Sequence, residues 1–113
     1  MAPPGKESSQ RSMKRLFKNY IRGCKRKNIY WELTLEEFHK LTSSNCAYCE
    51  KPPAQRSRTY TYNGIDRMNN KRGYIRDNVV PACKECNFLK GDRLTFDEMR
   101  VVGEALKAFR MKK

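Results

Sequence analysis

The chain has 113 residues and a formal net charge of +13, with 25 Lys and Arg against 12 Asp and Glu. Apolar residues make up 38%, enough for one modest core and too few for a large one. No apolar run approaches the roughly 20 residues of a membrane span, and MAPPGKESSQR lacks the apolar stretch of a secretory signal, so neither a membrane protein nor a secreted disulfide scaffold is expected.

Residues 1–10, with Pro, Gly and Ser, read as a flexible lead to a single domain over 11–113. From Gln10 to Lys27, Met13, Leu16, Phe17, Tyr20, Ile21 and Cys24 fall on one stripe of an amphipathic helix, with Ser12 as an expected N-cap. Lys14, Arg15, Lys18, Arg22, Lys25 and Arg26 occupy its other face. Thr34 and Glu37 form a capping box that opens a short helix through Leu41. Residues 46–53, Cys-rich and ending in Pro52-Pro53, predict a tight turn. Tyr60–Tyr62 has strand character and leads into Asn63-Gly64, which predicts a hairpin with Ile65–Met68 returning. A polar loop spans Asn69–Gly73, and Val79-Val80 predicts a second short strand closed by Pro81. A helix is expected over Lys84–Lys90, ended by Gly91. Thr95 and Glu98 form a second capping box, opening a final helix with Phe96, Met99, Val102, Leu106 and Phe109 on its inner face.

The charge is unevenly placed. Residues 1–28 carry nine basic and one acidic side chain, residues 29–54 two and four, and residues 55–94 nine and four. Two basic blocks flanking a neutral middle suit a polyanion, nucleic acid above all; the plainer alternative is a solvated basic surface.

Four of the five cysteines form two pairs, Cys46-x-x-Cys49 and Cys83-x-x-Cys86, separated by 33 residues. Two residues between thiolates let both reach one ion from a single turn, and two such pairs make the tetrahedral Cys₄ shell that zinc prefers. A closed shell leaves no position for water, which makes the expected zinc structural. Cys24 sits on the apolar stripe and reads as a small core residue. A zinc turn, a hairpin and a second pair entering a helix is a treble-clef layout, compatible with DNA, RNA or protein binding without catalysis.

The stretch from Asn63 to Gly91, NGIDRMNNKRGYIRDNVVPACKECNFLKG, resembles the core of HNH endonucleases, the ββα-metal or His-Me-finger group, in the zinc-bearing form of small phage and virus-type proteins. Leu16–Tyr20, Leu33–Phe38, Cys46–Cys49 and Thr95–Met99 extend the likeness to about residues 14–105. The resemblance implies an α+β fold: a zinc-stapled ββα-metal core over 46–91, a basic helical part over 11–45 and a closing helix over 92–113. It implies a metal-dependent endonuclease that cuts or nicks double-stranded DNA inside a cell, with the bacterial cytoplasm during phage infection as the setting. Asp66 matches the Asp that ligates the catalytic Mg²⁺ or Mn²⁺, Asn78 the residue that holds the loop and orients the base, and Asn87 the second ligand. Arg67 stands where the family's general base, a His, would be. An arginine cannot serve as an ordinary base near neutral pH but can clamp a phosphate. Lys71, Arg72 and Lys90 are expected beside the DNA. His39, the one histidine, reads as a surface or packing residue, while Tyr60, Tyr62 and Tyr74 fall within reach of the site. The alternatives are a catalytically weak or inactive treble-clef module that binds nucleic acid, and a partner-binding subunit of a larger phage machine.

Overall fold

The computed structural model describes residues 8–112. Helix α1 spans Ser9–Lys27 and opens one turn before the expected cap: Ser8 is the N-cap, its Oγ accepting the Arg11 amide at 3.1 Å. Ser12 instead lies buried inside the helix, 2.9 Å from the Thr59 hydroxyl. Asn28 ends the helix in the left-handed region (φ 57°), its N–H reaching the Cys24 and Lys25 carbonyls. Lys25, Arg26 and Lys27 fill the last turn, where cations favour the helix dipole. Helix α2, Leu35–Thr42, follows the predicted capping box.

Strands β1 (Gln55–Ser57) and β2 (Tyr60–Tyr62) form an antiparallel hairpin that turns at Arg58, whose φ is 55°. Strands β3 (Gly64–Arg67) and β4 (Val79–Ala82) form a second, with Asp66 opposite Val80 and Arg67 opposite Val79. The expected hairpin at Asn63-Gly64 is therefore corrected: neither residue takes a positive φ, and the chain runs straight from one sheet into the other. Asn63 is buried there because its amide Nδ2 donates to the Ser44 and Lys51 carbonyls and its N–H to the Thr42 carbonyl. Pro81, expected to close β4, lies within it.

Helix α3 covers Lys84–Lys90 and ends at Gly91, whose φ of 45° a residue with a side chain rarely adopts. Helix α4, Phe96–Met111, starts at the second capping box. Its inner face holds Met99, Val102, Gly103 and Leu106. Phe109, expected there, is 71% exposed, because the helix runs on past the cluster it covers. Gly103 allows the close approach: a Cβ there would stand 2.3 Å from the Tyr48 carbonyl oxygen.

Two cores result. One is aromatic, built from α1, α2, β2, β3 and β4, with Phe17, Tyr20 and Trp31 all set around Phe38 at 5.3 to 6.2 Å between ring centroids. The other surrounds the four paired cysteines with Tyr48, Ala82 and Met99. The β3–β4 sheet bridges them, contributing Ile65 and Val79 to the first and Ala82 to the second. Among the described residues, no helix is long and apolar enough to cross a membrane.

Candidate active site and metal centre

Cys46 and Cys49 occupy a knuckle closed by hydrogen bonds from the Cys46 amide to the Lys51 carbonyl and from the Glu50 amide to the Cys46 carbonyl. The Ala47 amide donates to the Pro81 carbonyl at 2.8 Å, clamping the knuckle to β4. Cys83 caps α3 and Cys86 lies in its first turn, so the second pair leaves the same sheet. The four Sγ atoms all lie within 4.8 Å of one another, with Cys49 and Cys83 3.7 Å apart, and each residue is at most 5% exposed. A tetrahedron with Zn–S of about 2.3 Å has edges of about 3.8 Å. All four cysteines are free thiols, so the cluster can hold a zinc ion, as their spacing predicts. A hydrogen bond between the Cys46 and Cys86 sulfurs holds the Cys46 thiol below its ordinary range and that of Cys86 above it, while burial raises Cys83. Full ionisation of four packed, buried sulfurs requires a cation among them. Cys24 is buried on α1, outside the cluster.

Beside this centre an open cleft of about 480 Å³ is lined by Tyr20, Asp66, Arg67, Asn70, Tyr74 and Asn87, among others. It brings together Asp66 and Arg67 from β3 with Asn87 from α3, three of the four predicted catalytic residues. Asp66 is 5% exposed. Its Oδ2 accepts the Tyr48 hydroxyl at 2.5 Å, and its Oδ1 stands 3.4 Å from the Lys90 ammonium. Burial pushes the Asp66 carboxyl above its ordinary range, against the downward pull of Tyr48 and Lys90. Burial and the bond to Asp66 push the Tyr48 phenol up. A carboxylate offers about four lone-pair sites, so these two contacts leave it able to take a cation.

Arg67 is half-buried. Its Nη1 donates to the Asn70 and Arg72 carbonyls, each at 3.0 Å, and its guanidinium lies 5.4 Å from the centre of the Tyr74 ring. Asn78, the fourth predicted catalytic residue, is buried behind the loop. Its Oδ1 accepts the Asn69 amide and its Nδ2 donates to the Asn69 and Gly73 carbonyls, tying together the two ends of the loop. Asn70 ties the same loop to the end of α3 through the Gly91 carbonyl. A Cβ at Gly64 would meet Tyr20 Oη at 3.3 Å and Asn87 Nδ2 at 3.4 Å, so the glycine keeps room on this wall.

Lys90 is corrected. It was expected on the DNA surface, yet it is 1% exposed, donating to the Arg67 carbonyl at 3.0 Å and facing Asp66. A lysine goes inside only when its charge is matched, and the buried carboxylate supplies the match. Lys71 and Arg72 are exposed on the loop, Arg72 pairing with Asp77 at 3.1 Å. His39 is exposed with its ring near Tyr60 and does not line the cleft. Tyr74 reaches the cleft; Tyr60 is a core residue bonded to Thr42, and Tyr62 stacks on it. Tyr48 and Tyr20 carry no charge signal in the sequence, and only the fold brings them here.

Lys14, Arg15, Lys18, Arg22, Lys25 and Arg26 are all exposed on α1. Four of them, with Arg11 and Arg58, line an open depression of about 580 Å³ between α1 and the β1–β2 hairpin. None of its described lining residues is acidic.

Two short strands and a helix held by a cysteine knuckle make a mixed α+β fold that matches the fold of HNH endonucleases. Among solved structures it is similar to the rare-cutting HNH restriction endonuclease PacI, with a TM-score of 0.70 and 23% identity over 85% of this chain and 77% of that one. No known family profile matches the chain. An uncharacterized protein of Acanthamoeba polyphaga mimivirus is 48% identical over 64 residues, which is 57% of this chain. This chain spans 11% of the length of that viral relative.

Proposed function

We propose that this protein is a metal-dependent endonuclease that hydrolyses phosphodiester bonds of double-stranded DNA. The observation that carries the reading is the buried Asp66 carboxylate opening on the same cleft as Asn87, in an HNH endonuclease fold. One carboxylate and one amide oxygen suit Mg²⁺ or Mn²⁺, since Mg²⁺ keeps several waters and needs few protein ligands. When bound, the cation neutralises charge that develops on the phosphate and the leaving oxygen. Asp66 and Asn87 would hold it. Arg67, with Nη1 fixed by two carbonyls, turns its remaining N–H donors to a phosphate. Asn78 braces the loop that carries those carbonyls. A zinc ion held by Cys46, Cys49, Cys83 and Cys86 would fix α3 against the knuckle and so support the placement of Asn87. Zinc binding requires reduced thiols, which implies an intracellular setting.

The second reading is a nucleic-acid-binding module without catalysis. Arg67 in the histidine slot favours it, as does the Lys90 ammonium at Asp66 Oδ1, a cation already facing the carboxylate. Conversion of supercoiled plasmid in Mg²⁺ or Mn²⁺, blocked by a chelator, separates the two.

Both readings place DNA phosphates on α1. Affinity should fall steeply with salt, because each neutralised phosphate adds about 0.9 to the slope of log K against log salt. Replacing Lys14, Lys18, Arg22 and Arg26 by Gln should reduce that slope by up to about 3 to 4 in a fluorescence-anisotropy titration. An unchanged slope moves the binding surface off α1.

A further inference from the structure

We infer that Tyr48 is a positioning residue that couples the zinc knuckle to the cleft and sets the cleft's affinity for its divalent cation. The inference rests on the reading of Asp66 as a metal ligand. Tyr48 lies between Cys46 and Cys49 and is 1% exposed. Its backbone has little freedom: the Ala47 amide beside it is bonded to β4, and α4 presses on its carbonyl at Gly103. Its ring is held against Phe96 at 5.8 Å. The hydroxyl emerges from this apolar cluster at Asp66 Oδ2, 2.5 Å away.

The consequence follows from where the two contacts fall. Tyr48 engages Oδ2 and Lys90 faces Oδ1, so different oxygens are held from different sides. Together they fix the rotation of the carboxylate and leave its remaining lone pairs for the cleft. Without the hydroxyl, Oδ2 is a buried acceptor lacking its partner, and the carboxylate is free to turn onto Lys90. A knuckle that is not folded cannot place the hydroxyl at all. Zinc occupancy and divalent-cation affinity are thereby linked in series. Partners that orient a ligating carboxylate are worth about 10- to 100-fold in metal affinity or activity.

The test uses Tyr48→Phe, which preserves the buried ring, compared with the parent and Asp66→Ala in the zinc-loaded full chain without DNA. Mn²⁺ affinity is read from water-proton relaxation, and zinc content by metal analysis. We expect Tyr48→Phe to keep its zinc, to bind Mn²⁺ about 10- to 100-fold more weakly, and to recover nicking as Mn²⁺ is raised. Unchanged Mn²⁺ affinity in Tyr48→Phe, with binding lost in Asp66→Ala, overturns the inference and leaves the ligand assignment standing. Unchanged affinity in Asp66→Ala overturns both. Should Tyr48→Phe fail to fold, 3-fluorotyrosine placed at position 48 retains the hydroxyl. Its ¹⁹F resonance should shift on adding Mg²⁺ in the parent and stay still in Asp66→Ala; a resonance indifferent to Mg²⁺ in the parent contradicts the coupling.

Discussion

Stripping zinc, or replacing Cys83 with Ser, should unfold the chain. The four paired cysteines are the majority of the buried residues in the second core, whose other fully buried members are Tyr48, Ala82 and Met99. The strands are three or four residues long and α3 only seven, so neither sheet nor helix is stable alone. Structural zinc contributes about 10–16 kcal/mol in finger peptides, as much as or more than the roughly 5–15 kcal/mol net stability of a whole domain. Metal analysis should give about one zinc per chain, and a chelator should abolish the cooperative melt followed by circular dichroism. A zinc-free preparation that melts cooperatively at the parent's temperature contradicts this expectation.

Asp66→Ala should slow DNA cutting by about 10³-fold or more while leaving DNA binding nearly intact. The carboxylate is assigned to the cation and not to a phosphate, and loss of about 4 kcal/mol of transition-state stabilisation gives this factor. The substitution also leaves Lys90 buried without its partner, a destabilising change of about 3–5 kcal/mol. Asp66→Asn keeps an acceptor for Tyr48 and should show the same loss of cutting in a better-folded chain. Equal cutting by parent and variant would place the activity outside this cleft. A related outcome concerns Arg67. Its guanidinium is tied to the Asn70 and Arg72 carbonyls, and the one histidine stands elsewhere on α2. The parent's rate should therefore climb with pH without the levelling near pH 6.5 that a histidine base gives. Arg67→His should introduce that levelling and speed the reaction by up to about 10²–10⁴-fold. A plateau near pH 6.5 in the parent contradicts this expectation.

Legibility in the sequence followed how local each cause was. Both capping boxes are read from four residues and both hold in the structure. The apolar stripe of α1 and the glycine stop of α3 are equally local. The four clustered cysteines declare themselves because two-residue spacing is itself the chemistry of a metal knuckle. Strand pairing is not local. Gln55-Arg56-Ser57 has no apolar alternation, so β1 is invisible until Tyr60–Tyr62 lies beside it. Asn63-Gly64 carries a strong turn signal that distant carbonyls of Ser44 and Lys51 override. In the cleft, Asp66 and Asn87 follow from the motif, whereas Lys90 reads as a surface cation because its burial depends on Asp66, 24 positions away. Tyr48 is hidden for the same reason: nothing next to it in the chain states that its hydroxyl ends on β3.

Plasmid relaxation shows whether this cleft cuts DNA with a divalent cation. Purified, zinc-loaded chain is incubated with supercoiled plasmid in Mg²⁺, in Mn²⁺ and with a chelator added just before the reaction. Relaxed or linear product is expected with either cation, none with the chelator, and none from Asp66→Asn at equal DNA occupancy. Plasmid that is bound but stays supercoiled in both cations, or product that persists in Asp66→Asn, contradicts that expectation.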